Sequence, residues 1–360
     1  MKVVLVITSA DWGGAQRHVY DLARGLCRRG HAPEVWYGVP GPLVARLAQA
    51  GIPSRRVANL VRRLAPGRDF AGVRSLRREL LAFGPDVVHV HSSKAGVLVR
   101  AALGDGALPV VYTVHGLVWR NERMAGWKRR FYRWVEERLL SRAAVTVVLS
   151  AGDEAALVSA RPDLRPRIVR IAHGVEGPPR PLGLPDAPIL GTVARFTPEK
   201  ALDRALELVA AVRPALPDVR LVLVGDGPLR GTLVAMAARL GVADCVQFAG
   251  FQEDVWPWLE SMRVFLLTSV KEGMPYALLE AMAAGRLILA TPVGAVPELV
   301  ASYPRGRVAA PADLARELLA LLQAPPAPLE GVQLPDVNAM VEAVLDVYRQ
   351  AQAVWQGGRA

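Results

Sequence analysis

Cysteine is almost missing: Cys27 and Cys245 are the only two in 360 residues. Two distant thiols in unrelated contexts build neither a disulfide framework nor a cysteine-rich zinc site, and a reducing cytoplasm is the simplest compartment. Long apolar runs are missing too. No stretch approaches the roughly 18–20 uncharged apolar residues that cross a bilayer. The opening MKVVLVITSADWGG carries its apolar stretch straight into Asp11 and a glycine pair, so it reads as a buried first strand rather than a signal peptide. The dinucleotide fingerprint G-x-G-x-x-G is absent after that strand. Trp36 and Tyr37 stand where a ribose-binding acid would close the second strand. Both absences disfavour a dinucleotide-dependent dehydrogenase.

Acid is scarce in one half only. Residues 1–180 hold 29 Lys and Arg against 14 Asp and Glu, whereas residues 181–360 hold 15 against 19. A basic half calls for an anionic partner: nucleic acid, an anionic lipid surface or a phosphorylated substrate. An Arg-rich surface set by genome composition is the plainer alternative, but it does not predict opposite signs in the two halves. The chain length favours two domains, and 52% apolar with 21% charged residues suits a large core.

The rhythm along the chain is strand, helix, strand. VVLVITS (3–9) is continuously apolar, as a strand buried on both faces should be. In the segment 14–29, Val19, Leu22, Ala23 and Leu26 recur at helical spacing. Further strands are expected at 32–38, 86–92, 109–116 and 144–150, giving the βαβ pattern of an open parallel sheet. GVEGPPRPLGLPDAP (174–188) reads as a linker. The pattern then restarts, with strands at 188–195, 219–227, 246–250, 264–269 and 287–291 and helices through 201–213 and 228–240. The expected division is 1–175 and 176–337. The amphipathic segment 338–356 is either a helix returning to the first domain or a cap on the second. Ligands of such sheets bind at the carboxyl ends of strands, and the cleft between two facing units is the expected site.

Several residues are candidates for that site. Gly13 and Gly14, between first strand and first helix, either let the backbone approach a phosphate or make a tight turn. Arg195 ends a strand and Lys200 follows, with Thr197 read as a helix cap and Pro198 as the first helical residue. Two cations beside a helix start make a phosphate clamp. In EGMPYALLE (272–280), Glu272 precedes Pro275 in a strand–helix loop, whereas Glu280 lies inside the helix among Leu278, Leu279, Ala281 and Met282. A carboxylate there needs hydrogen-bond donors; ligand hydroxyls or a structural arginine would supply them.

All six histidines lie in the first half, and His18, His89, His91, His115 and His173 are the candidates among them. His115, before Gly116, is placed to donate to a sugar hydroxyl or phosphate. His89 and His91 share one strand face, but no cysteine or acid stands at metal spacing from them, so no metal is expected. Segment 117–142 interleaves Lys and Arg with Trp119, Trp127, Phe131, Tyr132 and Trp134. It fits a membrane interface, a helix with partly buried aromatics, or a nucleic-acid contact.

In order and spacing these pieces resemble family 4 of the retaining, nucleotide-sugar-dependent glycosyltransferases, with its E-x7-E motif. The stretches that carry the resemblance are the Gly13–Gly14 turn, HVHSSKAG (89–96), TVHG (113–116), IAHGVE (171–176), VARFTPEKALDRALE (193–207), LVLVGDGPLR (221–230), VQFAGF (246–251) and EGMPYALLEAMAAG (272–285). HSSKAG and EGMPYALLEAMAAG look most like members that build exopolysaccharide or lipid-linked oligosaccharide. The resemblance implies an α/β GT-B fold of two facing Rossmann-like domains. It assigns Arg195 and Lys200 to the donor diphosphate, Glu280 to the ribose, and Glu272 with Gly273, Met274 and Pro275 to the donor sugar. It further assigns His115 to the sugar and reacting centre, Gly14 with Gly13 to the diphosphate, and Phe251 to the neighbourhood of the base. Glu272, His115, Arg195 and Lys200 would be the catalytic set.

Implied too are a UDP- or GDP-linked sugar as co-substrate, no further cofactor, a membrane-associated glycan acceptor, and a place on the inner face of the cell membrane. The sequence departs from the pattern at His173, where asparagine is usual, and at Glu176. Alternatives are a nucleotide-sugar epimerase or phosphorylase of the same fold, or a non-catalytic membrane or nucleic-acid binder using 117–142.

Overall fold

The computed structural model describes residues 1–357 apart from 59, 61–65, 105 and 122, and the side chains of 66–70. The chain forms two compact units. The first comprises Met1–Arg120, Met124–Gly174 and Pro335–Ala360, and the second Asn121–Arg123 and Val175–Leu334.

In the first unit, β1 (Lys2–Ser9), β2 (Ala32–Val39), β3 (Ser54–Arg56), β4 (Val87–His91), β5 (Val110–Val114), β6 (Val145–Val148) and β7 (Ile168–Arg170) make one parallel sheet in the order β3-β2-β1-β4-β5-β6-β7. Each face is buried by a separate core, which is why β1 is unbrokenly apolar from Val3 to Ile7. Val3, Leu5 and Ile7 pack with the helix Gly14–Arg28 and the last helix, Val337–Gly357. Val4 and Val6 pack on the other side with Leu76, Leu80, Leu98 and Val99. The last helix therefore belongs to the core of the first unit, through Met340, Val341, Val344 and Tyr348.

On the opposite face, a fully buried Arg100 joins the helices Ser93–Ala102 and Gly126–Leu139. Its guanidinium lies 2.7 Å from a Glu136 carboxylate oxygen, its Nε donates to Gly96 O, and it sits 4.1 Å above the Tyr112 ring. Glu136 is the inward anchor of its helix. Trp127, Phe131 and Trp134, at helical spacing on the other side, are 70%, 47% and 59% exposed.

In the second unit, β8 (Ile189–Val193), β9 (Arg220–Val224), β10 (Val246–Gly250), β11 (Val264–Leu267), β12 (Leu287–Ala290) and β13 (Gly306–Val308) follow the order β10-β9-β8-β11-β12-β13, all parallel. Each sheet thus reverses direction once, between β1 and β4 and between β8 and β11. The carboxyl ends at such a switch point are where open α/β sheets bind ligands.

One local expectation fails. Thr197 does not cap a helix: its hydroxyl is 3.4 Å from Arg195 O, and Pro198–Lys200 is a single 3-10 turn. The helix begins at Leu202, after Ala201 adopts a left-handed φ of 48°. That conformation costs a non-glycine residue about 1–2 kcal/mol. The Thr268 hydroxyl, just past β11, donates to the Ala201 carbonyl at 3.0 Å and fixes the turn. Among the described residues no helix is long and apolar enough to cross a membrane.

Candidate functional site

At the switch point of the second unit, Lys200 leaves the loop after β8 and meets Glu272 in the loop after β11. Lys200 Nζ is 2.7 Å from Glu272 Oε1, and Ser269 Oγ donates to the same oxygen at 2.6 Å. The loop carrying Glu272 is tied down at several points. The Thr291 hydroxyl donates to Ser269 O at 2.6 Å, Val270 N donates to Glu199 O, and Ala295 N donates to Gly273 O. Gly294 has a φ of 54°, and a β-carbon there would lie 2.3 Å from Gly273 O, so only glycine allows this packing.

Pro275 then precedes the helix Tyr276–Ala283. Glu280 is half-buried, whereas Leu278, Leu279, Ala281 and Met282 are buried. Arg195, two residues past β8, is half-buried, Gly273, Met274 and Pro275 are buried, and Phe251, just past β10, is 52% exposed. The second unit thus holds Arg195, Lys200, Phe251, Glu272, Gly273, Met274, Pro275 and Glu280. Ser269, Thr268 and Thr291, which hold Lys200 and Glu272 in place, were not foreseen from sequence; hydroxyls ending consecutive strands were the available signal.

Gly13, Gly14 and His115 belong to the first unit. Gly13 is exposed, precedes the first helix, and has an extended φ of −178°, which any residue adopts. A β-carbon there would meet only the Gln16 side-chain tip within 4 Å, at 3.2 Å. Neither dihedral nor crowding by backbone requires glycine at this position.

The larger surprise is around His115. Five imidazoles gather on one face of the first sheet, from the first helix (His18), β4 (His89, His91), the residue after β5 (His115) and the segment after β7 (His173). His91 Nδ1 is 3.2 Å from His115 Nε2. His89 is satisfied on both sides, by Tyr348 Oη at 2.8 Å and Thr113 Oγ1 at 2.7 Å. Burial lowers the pKa of His89 to about 3. Burial first, then neighbouring histidines, hold His18 and His91 well below the usual imidazole range, so both are neutral. The sequence signal was only that all six histidines fell in one half; the meeting of five depends on four separate segments.

The helix Gly126–Leu139 presents Trp127, Phe131 and Trp134 to solvent, whereas Trp119 and Tyr132 are half-buried, as the alternative of partly buried aromatics expects. Beside them an open hollow of about 680 Å³ is lined by Trp119, Gly126, Trp127, Arg129, Arg130 and Arg133. Glu122, in the same sequence segment, lies outside the described residues.

Two paired Rossmann-like units of this kind define the GT-B class, and comparison with known proteins agrees. HepE of Anabaena, solved in complex with UDP and glucose, superposes with a TM-score of 0.75 at 20% identity, covering all of both chains. The family "Glycosyltransferase Family 4" matches residues 12–176, and "Glycosyl transferases group 1" matches residues 187–324. The chain belongs to the family 4 glycosyltransferases.

Among curated relatives, the 2-deoxystreptamine glucosyltransferase of Streptomyces kanamyceticus is 30% identical over 67% of this chain and 62% of its own length. An Escherichia coli enzyme named UDP-Gal:alpha-D-GlcNAc-diphosphoundecaprenol alpha-1,3-galactosyltransferase is 28% identical over 64% of this chain and 63% of its own. The chain spans less than two thirds of the length of the curated relatives it matches.

Proposed function

We propose that the protein transfers a hexose, with retention, from a nucleoside-diphosphate sugar to a membrane-associated glycan acceptor. The observation that carries this reading is the Lys200–Glu272 pair at the β8/β11 switch point. A diphosphate arriving there exchanges with Glu272 for the Lys200 ammonium, and Arg195 adds a second cation. The Glu272 carboxylate, still held by Ser269, then accepts hydrogen bonds from sugar hydroxyls, and Glu280 accepts from the ribose.

In the reaction the bond between the anomeric carbon and the diphosphate oxygen breaks. The acceptor oxygen bonds to the same face of that carbon, and its proton passes to the departing phosphate. Negative charge grows on the diphosphate, and fixed cations stabilise it most at that moment. His115 donates to the sugar, and the bare Gly13–Gly14 backbone admits the diphosphate. In this reading the departing diphosphate is stabilised by side chains and needs no metal. The names of HepE complexes with UDP and with UDP-glucose support a uridine donor, and the diphosphoundecaprenol acceptor in the name of the E. coli relative supports a lipid-linked acceptor.

The exposed Trp127, Phe131 and Trp134 beside Lys128, Arg130 and Arg138 support docking on an anionic membrane. In this reading the protein works on the inner, cytoplasmic face of the membrane. A nucleic-acid role is not part of this reading.

A thermal-shift panel of nucleotides and nucleotide sugars tests the donor. A shift with one base and not with others is expected; no shift with any would overturn the reading. A product assay follows. Label should move only when a glycan acceptor is present, whereas conversion of the nucleotide sugar without acceptor would identify an epimerase.

A further inference from the structure

We propose that His18, His91 and His115 form a site for one divalent transition-metal ion of the zinc type, wholly within the first unit. One ligand nitrogen from each lies within 4.8 Å of the others. The ring centroids are 5.3 Å apart for His18–His91, 5.2 Å for His18–His115 and 5.5 Å for His91–His115. A zinc–nitrogen bond of about 2.0–2.1 Å, with tetrahedral angles, sets coordinated imidazole centroids about 5.2 Å apart. The three rings already stand at that spacing; they need to turn, not travel.

Polar bookkeeping points the same way. His18 is 2% exposed, and neither of its ring nitrogens has a hydrogen-bond partner; His91 is fully buried, and its Nε2 has none. Each buried unpaired nitrogen costs about 1–3 kcal/mol. One cation accepting a lone pair from each of three neutral imidazoles removes that cost at one nitrogen of each ring. His89 shows the contrast: equally buried, it has both nitrogens occupied by hydroxyls. It would act as support for the site through Tyr348 and Thr113, not as a ligand.

The donor set selects the metal class. Three neutral nitrogens with no carboxylate suit zinc, cobalt or copper, and not magnesium or calcium. His173, with its ring 4.9 Å from His18 and 5.5 Å from His115, borders the triangle and is the natural fourth ligand. The ion would also set the state of His115. A neutral imidazole bound through one nitrogen must carry its proton on the other, so coordination fixes a ring N–H on His115.

The test uses the full chain, stripped with a chelator, dialysed against zinc and analysed for bound metal. One equivalent should be retained by the wild type and by His31→Gln, a control at the N-terminal surface where His31 meets the Met1 amine. His18→Gln and His91→Gln should bind at least 10-fold more weakly. Cobalt should give a visible absorption band of a low-coordinate site in the wild type and in His31→Gln, and not in His18→Gln or His91→Gln. Should a variant fail to fold, imidazole nitrogen NMR of the wild type reads the same site: zinc must shift three or four histidines and leave His31 unmoved. No stoichiometric retention, retention unchanged in His18→Gln, or shifts confined to His31 would each overturn the proposal.

Discussion

Lys200 and Glu272 stand 72 positions apart in sequence and 2.7 Å apart in space. They are joined where β8 and β11 become neighbours and the sheet changes direction. The ammonium is about three-quarters buried and the carboxylate about nine-tenths, so each holds the other in a set position while remaining reachable by a ligand.

Lys200→Ala should therefore lower turnover by about 10²–10³-fold, the loss typical of one fixed group that stabilises growing negative charge. Glu272→Ala should lose turnover comparably by a different route: Lys200 remains for the diphosphate, so nucleotide affinity is retained while sugar transfer fails. Steady-state kinetics together with calorimetry on the free nucleoside diphosphate separate the two. Wild-type rates in both variants would remove this pair from the reaction.

Much of this was legible in the sequence, and the exceptions are physical. Strands buried on both faces announce themselves by unbroken apolar runs, as in Val3–Ile7, because a polar group on either side needs a buried partner. The start of the 202–212 helix was misread because Thr-Pro-Glu has the composition of a cap. What delays the helix is the left-handed Ala201, held by the Thr268 hydroxyl 67 residues away. Buried cations were invisible for a similar reason. Arg100 and Arg286 are both fully buried, and arginine gives no local sign of that. Arg286 donates to the carbonyls of Met262, Ala284 and Gly183. The imidazole cluster draws on four segments, and no spacing rule along one strand could assemble it.

The Arg100–Glu136 pair carries a stability prediction. Glu136 is 5% exposed and Arg100 is fully buried, so truncating one partner strands the other charge in the core. Glu136→Ala should destabilise by about 3–5 kcal/mol, measured as a fall in the urea midpoint. Arg133→Ala, which breaks the exposed pair with Glu137 on the same helix, should cost about 0.5 kcal/mol or less.

The same helix carries the membrane prediction. Glu136 faces inward, and Trp127, Phe131 and Trp134 face outward with Arg130 and Arg138 beside them. Replacing the three aromatics by serine should leave the urea midpoint nearly unchanged and abolish sedimentation with vesicles containing anionic lipid. Wild-type binding should weaken with added salt, since about 8–10 Å of screening length at physiological ionic strength removes much of the attraction. Binding to neutral vesicles that is equal and salt-insensitive would argue against the basic residues.

The buried histidines make acid the stress to watch, and the sign can be worked out from His89. Its pKa falls from 6.5 to about 3 on burial. Below pH 6.5 the unfolded chain takes up a proton there that the native chain refuses. The contribution is fully present above 6.5 and is lost as pH falls toward 3, at about 1.4 kcal/mol per pH unit for each such histidine. His18 and His91 shift in the same direction. Urea midpoints of chelator-treated protein should therefore drop steeply between pH 6.5 and 5, before most carboxylates titrate. His89→Gln should make that profile shallower by roughly one histidine's slope, because glutamine keeps a polar group between Tyr348 and Thr113 without gaining charge. A flat profile in the wild type, or an unchanged slope in the variant, would mean that the cluster is not held neutral.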